Sequence, residues 1–177
     1  SHRSQTAMTA APSKGHNMEH GEALVSTLRS LAITDVVWLP DATTGRWEST
    51  LAAAVGLRLR RVCREGEAWA LAAGLWLGGR QPVLLIQNTG LFESGDALRN
   101  VLYDLQIPLY ALVGYRNWEV PDSTDSARRF TEPILRAWAL NYRLLDGPAP
   151  WEQFAAHFRS CREAGCPGVA LIPEGRG

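Results

Sequence analysis

The chain has 177 residues, 46% of them apolar, which is enough for one well-packed domain and at most a small second one. Its 18 basic and 18 acidic residues cancel, so nothing in the charge favours nucleic acid or an anionic membrane surface as a partner. The cysteines, Cys63, Cys161 and Cys166, are odd in number and form no CxxC pair. Neither a disulfide framework nor a zinc site is therefore expected, and a reducing cytoplasm is the expected compartment. No apolar run approaches the ~18 residues of a membrane span.

Residues 1–17 read as a flexible polar tail whose Ser1-His2 start resembles a cleavage remnant, and 18–177 as the domain. Leu24, Val25, Leu28 and Leu31 then mark one face of a helix, with Asn17 as its N-cap. Val36 to Leu39 is a continuous apolar run that ends in Pro40-Asp41. A short helix over Glu48 to Val55 leads to the alternating Leu57-Arg58-Leu59-Arg60, the pattern of a half-exposed edge strand. Glu65 to Leu77 is helical and apolar nearly all round, which predicts a position inside the molecule. Val83 to Ile86, Leu109 to Val113 and Val169 to Ile172 are further continuous apolar runs, as strands buried on both faces are. Between them lie helices over Ser94 to Tyr103, Arg128 to Trp138 and Trp151 to Ala164, and a weaker strand over Asn141 to Leu145. Pro108 and Pro167 stand just before strands, where a helix must already have ended. This alternation predicts an α/β fold: a doubly wound, mostly parallel sheet of about six strands flanked by helices.

Ligands of such sheets bind beyond the carboxyl ends of the strands. That directs attention to Pro40 to Thr44, Cys63 to Glu67, Gln87 to Leu91 and Gly114 to Asn117, which offer carboxylates, amides and a guanidinium. No P-loop, GxGxxG, HExxH or GxSxG pattern occurs. Of the histidines, His2 and His16 fall in the tail and His20 and His157 on helices, so a histidine-activated nucleophile has little support.

Arg64-Glu65-Gly66-Glu67-Ala68-Trp69-Ala70-Leu71-Ala72-Ala73-Gly74 resembles the signature of the pyrimidine-binding domain of thiamine-diphosphate enzymes. In that signature a Glu opens a helix with Ala and Gly at set intervals, here Glu65, Ala68, Ala72 and Gly74. Gln87-Asn88-Thr89-Gly90-Leu91 is similar to the Gln-Asn-Ser-Gly-Leu segment of sulfopyruvate and phosphonopyruvate decarboxylases. The strand ending in Pro40-Asp41 and the aromatic-Arg strand end Tyr115-Arg116 resemble the same branch.

The resemblance implies that the Glu65 carboxyl hydrogen-bonds the aminopyrimidine of thiamine diphosphate and so promotes loss of the proton from the thiazolium carbon. A 2-oxoacid then loses CO2. It implies further cofactor contacts from Gln87, Asn88, Thr89, Gly90 and Leu91, and substrate contacts from Asp41 and Arg116. The family's Gly-Asp-Gly motif and downstream Asn, which hold Mg2+ and the diphosphate, are missing, and Asp146-Gly147 does not supply them. No metal ligand is therefore assigned to this chain. In the sulfopyruvate branch the two domains can be separate chains, and this one resembles the α subunit. The implied partner is a β subunit carrying Gly-Asp-Gly, in a hetero-oligomer acting on a small anionic 2-oxoacid. A carboligase half of the same superfamily and a non-catalytic binding or scaffold subunit are the alternatives. The chain departs from the family pattern at Phe92, Glu93 and Asp96, and these bear on substrate identity.

Structural roles stand beside these. Asp41 could cap the following turn. Gln87, Asn88 and Thr89 could be turn residues, and Arg116 could form a surface salt bridge. Leu91 could be core, Glu67 a helix cap, Cys63 a small core filler, and Trp118 an anchor for the partner chain.

Overall fold

The computed structural model describes residues 14–175; the Ser1-His2 start, most of the expected tail and His2 lie outside them. In chain order the elements are α1 (Lys14–Ser30), β1 (Asp35–Trp38), a 3-10 turn (Thr44–Trp47), α2 (Glu48–Ala53), β2 (Arg58–Arg61) and α3 (Glu65–Leu77). There follow β3 (Pro82–Gln87), α4 (Asn88–Glu93), α5 (Gly95–Arg99) and β4 (Tyr110–Tyr115). The chain ends with α6 (Ser126–Ala137), β5 (Asn141–Leu144), α7 (Pro150–Ala164) and β6 (Gly168–Pro173). Helix α1 begins at Lys14, so Asn17 is inside it rather than its cap, and residues 14–17 of the expected tail are helical.

The six strands form one all-parallel sheet in the order β2-β1-β3-β4-β6-β5. The continuous apolar runs take the centre: every residue of β1 and β4 is buried, and all of β3 and β6 except their last residues. The alternating segments β2 and β5 take the two edges, where one face meets solvent. Side chains alternate between the faces. Val37, Leu84, Ile86, Val113 and Leu171 join Trp69, Leu98 and Leu135 of α3, α5 and α6 in one core. Val36, Trp38, Leu85, Leu112 and Ile172 join Leu24, Leu51 and Phe154 of α1, α2 and α7 in the other. Burial at roughly 25 cal/mol per Å2 of apolar surface in both layers holds the sheet.

Helix α3 departs from the expectation of full enclosure. Ala68, Trp69, Ala72 and Ala73 face the sheet, but Leu71 and Leu77 are exposed, at 37% and 74%. Cys63 is also exposed rather than a core filler, since it lies beyond the end of edge strand β2. At the amino end of the sheet the fully buried Asp35 accepts hydrogen bonds from Arg60, at 3.1 Å, from Thr34 and from Arg80. Burial pushes its pKa up, but these donors outweigh that and hold it below the usual carboxylate range.

The strand order reverses at two places. The chain leaves β1 to one side for β2, then returns past it to β3, so the segments leaving β1 and β3 turn to opposite faces of the sheet, the position at which such sheets bind ligands. A second reversal inserts β6 between β4 and β5.

Candidate active site

The carboxyl ends of the strands bring five segments to one edge of the sheet: Asp41 after β1, Glu65 after β2, Gln87 at the end of β3, Arg116 after β4 and Glu174 after β6. His157 is elsewhere: its Nδ1 lies 2.6 Å from the hydroxyl of Tyr110, the first residue of β4.

Glu65 is the first residue of α3 and is half-buried. Two neighbouring carboxylates hold the helix start around it. Glu67 reaches back to accept the Cys63 N–H at 3.1 Å, a structural role. Glu93, one of the departures from the family pattern, accepts the Gly66 N–H at 3.0 Å and pairs with the Arg64 guanidinium at 2.7 Å. The Arg64 bond, with the Gly66 N–H, holds the Glu93 carboxyl below its ordinary pKa. Glu93 therefore ties the end of α4 to the start of α3, which leaves the Glu65 carboxyl to be placed by what lies against it. That neighbour is Gly90: a Cβ there would fall on the Glu65 side chain, 2.6 Å from Cδ.

Gln87 to Leu91 is not a loop, because helix α4 starts at Asn88 directly from the strand. This gives the five residues different surroundings. Asn88 is fully buried, its amide donates to Thr131 of α6 at 3.0 Å, and its Oδ1 has no partner. Leu91 is fully buried in the core beneath α3. Gln87 is half-buried, Thr89 is exposed, and the Thr89 hydroxyl donates to Gln87 at 3.1 Å. Phe92 lines an open, mostly apolar groove of about 590 Å3 between α4 and α6, together with Thr89, Phe130 and Ile134. Asp96 points to solvent and pairs with Arg99.

Asp41 caps the turn that follows it: its Oδ1 accepts the N–H groups of Thr43 and Thr44 at 2.8 and 2.9 Å. Its other oxygen accepts the Thr44 hydroxyl, which itself accepts from Trp38 Nε1 at 2.8 Å. Arg116 donates to Asp125 at 3.0 Å, so the salt-bridge role is present, with its side chain still 37% exposed. Asp125 also caps α6 through the Ala127 N–H and accepts from Asn117. Trp118 packs on the core of its own chain.

Glu174 was not anticipated. It is buried at 4% exposure, its Oε2 has no partner, and its pKa is pushed up to about 7. Burial is the main cause and the negative charge of Asp41 the second; Thr43, Arg46 and Gln87 oppose them. The signal was available in Pro173-Glu174, a carboxylate directly after the last apolar run, just as Pro40-Asp41 follows the first.

No protein-family model matches the chain. It is 27% identical over 161 residues to the phosphonopyruvate decarboxylase of Streptomyces viridochromogenes, a match covering 86% of this chain and 40% of that protein. It is 31% identical over 90 residues to sulfopyruvate decarboxylase subunit alpha of Methanothermobacter thermautotrophicus, covering 50% of this chain and 54% of that one. The chain thus spans between two fifths and about half of the length of these curated relatives. The same fold occurs in the benzoylformate decarboxylase of Polynucleobacter necessarius, at a TM-score of 0.65 and 19% identity over 86% of this chain and 29% of that one. It also occurs in the thiamine diphosphate-dependent 4-hydroxybenzoylformate decarboxylase of Rhodococcus jostii RHA1, at a TM-score of 0.62 and 19% identity, with the same coverage of both chains. The chain is homologous to phosphonopyruvate decarboxylases and sulfopyruvate decarboxylase α subunits, and it has the fold found in thiamine diphosphate-dependent decarboxylases.

Proposed function

We propose that this chain is the pyrimidine-binding α subunit of a thiamine-diphosphate-dependent decarboxylase of small anionic 2-oxoacids, in the manner of 3-sulfopyruvate or 3-phosphonopyruvate. A separate β subunit completes the site. The observation that carries this reading is Glu65: a carboxyl at a helix start, laid against a glycine, at the carboxyl edge of the parallel sheet.

The residues fit one half of the cofactor. Gly90 leaves the space that the Glu65 side chain fills, so the carboxyl lies against the start of α4 and is held beside Gln87 and Thr89. Gln87 and Thr89 offer polar groups beside it. They do not fit the other half. Among the described residues no group of three or more His, Cys, Asp or Glu could hold a metal ion, and no Gly-Asp-Gly motif is present. Mg2+ and the diphosphate are accordingly assigned to the partner. The exposed Leu71, Leu77 and Phe130, and the groove beside Phe130, are apolar surface that a partner subunit would cover.

When bound, thiamine diphosphate supplies the electron sink that accepts the pair released as CO2 leaves. The chain's own residues do the rest. Glu65 holds and returns a proton at a ring nitrogen, with Glu93 and Glu67 keeping the start of α3 in place. Leu91 and Trp69, both fully buried, keep water from the underside of the site. Arg116, whose partly exposed side chain carries a guanidinium fork, suits a sulfonate or phosphonate.

The test is reconstitution with a chain carrying Gly-Asp-Gly, thiamine diphosphate and Mg2+, followed by native mass spectrometry and assay for CO2 from 3-sulfopyruvate and 3-phosphonopyruvate. The expected result is a hetero-oligomer that decarboxylates one of them, with Glu65→Gln lowering turnover roughly 10²- to 10⁴-fold. Full turnover in Glu65→Gln, or a chain that recruits neither partner nor cofactor, would overturn the reading.

A further inference from the structure

The thiols of the chain have no task in that scheme, yet two of them meet at the end of a helix. Helix α7 closes at Gly165, which takes the left-handed conformation with φ 62°. The Gly165 N–H donates to the Arg162 carbonyl at 3.2 Å, and the Cys166 N–H donates to the Cys161 carbonyl at 3.0 Å. This pair of bonds is a Schellman motif, in which the chain doubles back and the first and sixth residues commonly bring their side chains into contact. Those two residues are Cys161 and Cys166. Their spacing matches no redox motif, and only the reversal at Gly165 brings them side by side.

The two sulfurs differ in access. Cys161 is buried in the core. Its Sγ accepts from the Asn141 amide at 3.3 Å, lies 3.8 Å from His157 Nε2 one turn back, and stands 2.7 Å from where a Cβ on Gly168 would be. Asn141 and Gly168 are the first residues of β5 and β6, so this sulfur sits where α7 meets the amino ends of both strands. Cys166 is half-buried, packs against the same core, and hydrogen-bonds the Cys161 thiol with its own. Burial, with Cys166 beside it, pushes the Cys161 thiol up to about 12, which keeps it inert towards oxidants in solution. An oxidant therefore meets Cys166 first and reaches Cys161 only through it.

We propose that Cys161 and Cys166 are a redox-active dithiol that closes to an intramolecular disulfide, with Cys166 as the attacking thiol and Cys161 as the resolving one. The oxidant is a hydroperoxide. The Cys166 sulfur attacks one peroxide oxygen; the S–O bond forms as the O–O bond breaks, and the thiol proton leaves with the departing hydroxide as water. Cys166 is then a sulfenic acid. The Cys161 sulfur attacks it; the S–S bond forms as the S–O bond breaks, and the Cys161 proton leaves with the second hydroxide as water. Two thiols lose two electrons and two protons, and one hydrogen peroxide becomes two waters. The bond ties the last turn of α7 to the residue that leads through Pro167 into β6. It lies at the opposite edge of the sheet from Glu65 and does not depend on the decarboxylase reading.

The test is treatment of the dilute full chain with hydrogen peroxide, alkylation of the remaining thiols, and tryptic mapping by mass spectrometry. Cleavage after Arg159, Arg162 and Arg176 puts the two cysteines in separate peptides, 160–162 and 163–176. The expected product is these two peptides joined, lighter than their sum by two hydrogen atoms and parted again by dithiothreitol. Cys161→Ser should leave Cys166 as a sulfenic acid that dimedone traps, and the wild type should lose that adduct as the disulfide forms. Alkylation of both Cys161 and Cys166 after the exposed Cys63 has been oxidised would overturn the proposal, because Cys63 reports that the oxidant was competent. Equal dimedone adducts at Cys166 in wild type and Cys161→Ser would overturn it too. If the variant does not fold, the peptide map of the wild type decides alone.

Discussion

Gly90 lies against Glu65 so closely that the smallest side chain would take the space of its carboxyl. Gly114 stands in the same relation to Glu174. The two glycines make the same kind of room, but for acids in different surroundings, and their replacement separates activity from stability.

Gly90→Ala places a methyl on a half-buried side chain that can swing toward solvent. Since Ala favours helix over Gly by about 1 kcal/mol, the chain should melt at an unchanged or slightly higher temperature. Turnover of the reconstituted enzyme should nevertheless fall by roughly 10²-fold, the scale of a displaced catalytic group. Thermal melts and assays on one preparation test both halves; retained turnover would show that Glu65 has another route to its ligand.

Gly114→Ala meets an acid that has nowhere to go, because Glu174 is enclosed. Overpacking of this kind costs about 1–3 kcal/mol, and urea melts should show it. Gly114→Ala in a Glu174→Ala background should recover most of the loss, because the cavity receives the new methyl. An equal loss in both backgrounds would place the strain elsewhere.

Stability should depend on pH through Glu174. Its folded pKa is raised to about 7, above the ordinary carboxylate value, so between the two the folded chain binds more protons than the unfolded one. Unfolding free energy therefore falls as pH rises across that window and levels off above about 7. The change is on the order of a few kcal/mol. Denaturant melts from pH 5 to 8.5 should show this slope in the wild type, and Glu174→Gln should remove its larger part.

Glu93 works in the opposite direction. Its carboxyl is held below the ordinary range by Arg64 and the Gly66 N–H, so its contribution is present above that range and is lost as pH falls through its lowered folded value. Replacing it with Ala should cost about 1 kcal/mol, the scale of a lost helix cap. It should also speed amide exchange at Gly66 and its neighbours. Unchanged exchange there would mean that α3 holds its own start.

For Arg116, substrate anchor and salt-bridge partner make different predictions. Arg116→Ala should raise KM for a sulfonate or phosphonate substrate by roughly tenfold or more with little change in kcat. An unchanged KM would leave Arg116 as the partner of Asp125 alone.

Much of the architecture was legible because it rests on local patterns. The continuous apolar runs became the central strands and the Arg-rich alternating run became an edge, since burial on two faces or one is written residue by residue. Glu65 at the start of α3 was legible for a similar reason: a helix start and its spacing of small residues are contiguous in the chain. The misreadings fall where neighbours are distant. Cys63 depended on where β2 ends at an edge, Leu71 and Leu77 on which face of α3 the sheet covers, and the start of α4 on Asn88 finding Thr131 43 positions away.

The sequence by itself determined the fold class, the helix that presents Glu65 and the strand ends where polar groups collect, because each follows from periodicity and spacing within a short stretch. Tertiary structure alone decided that β6 would slip between β4 and β5, that Glu174 would come to rest over Gly114 within the field of Asp41, and that Glu93 would clamp the start of α3. Those outcomes depend on the order of strands and on desolvation by remote residues, and no local window of a chain carries either.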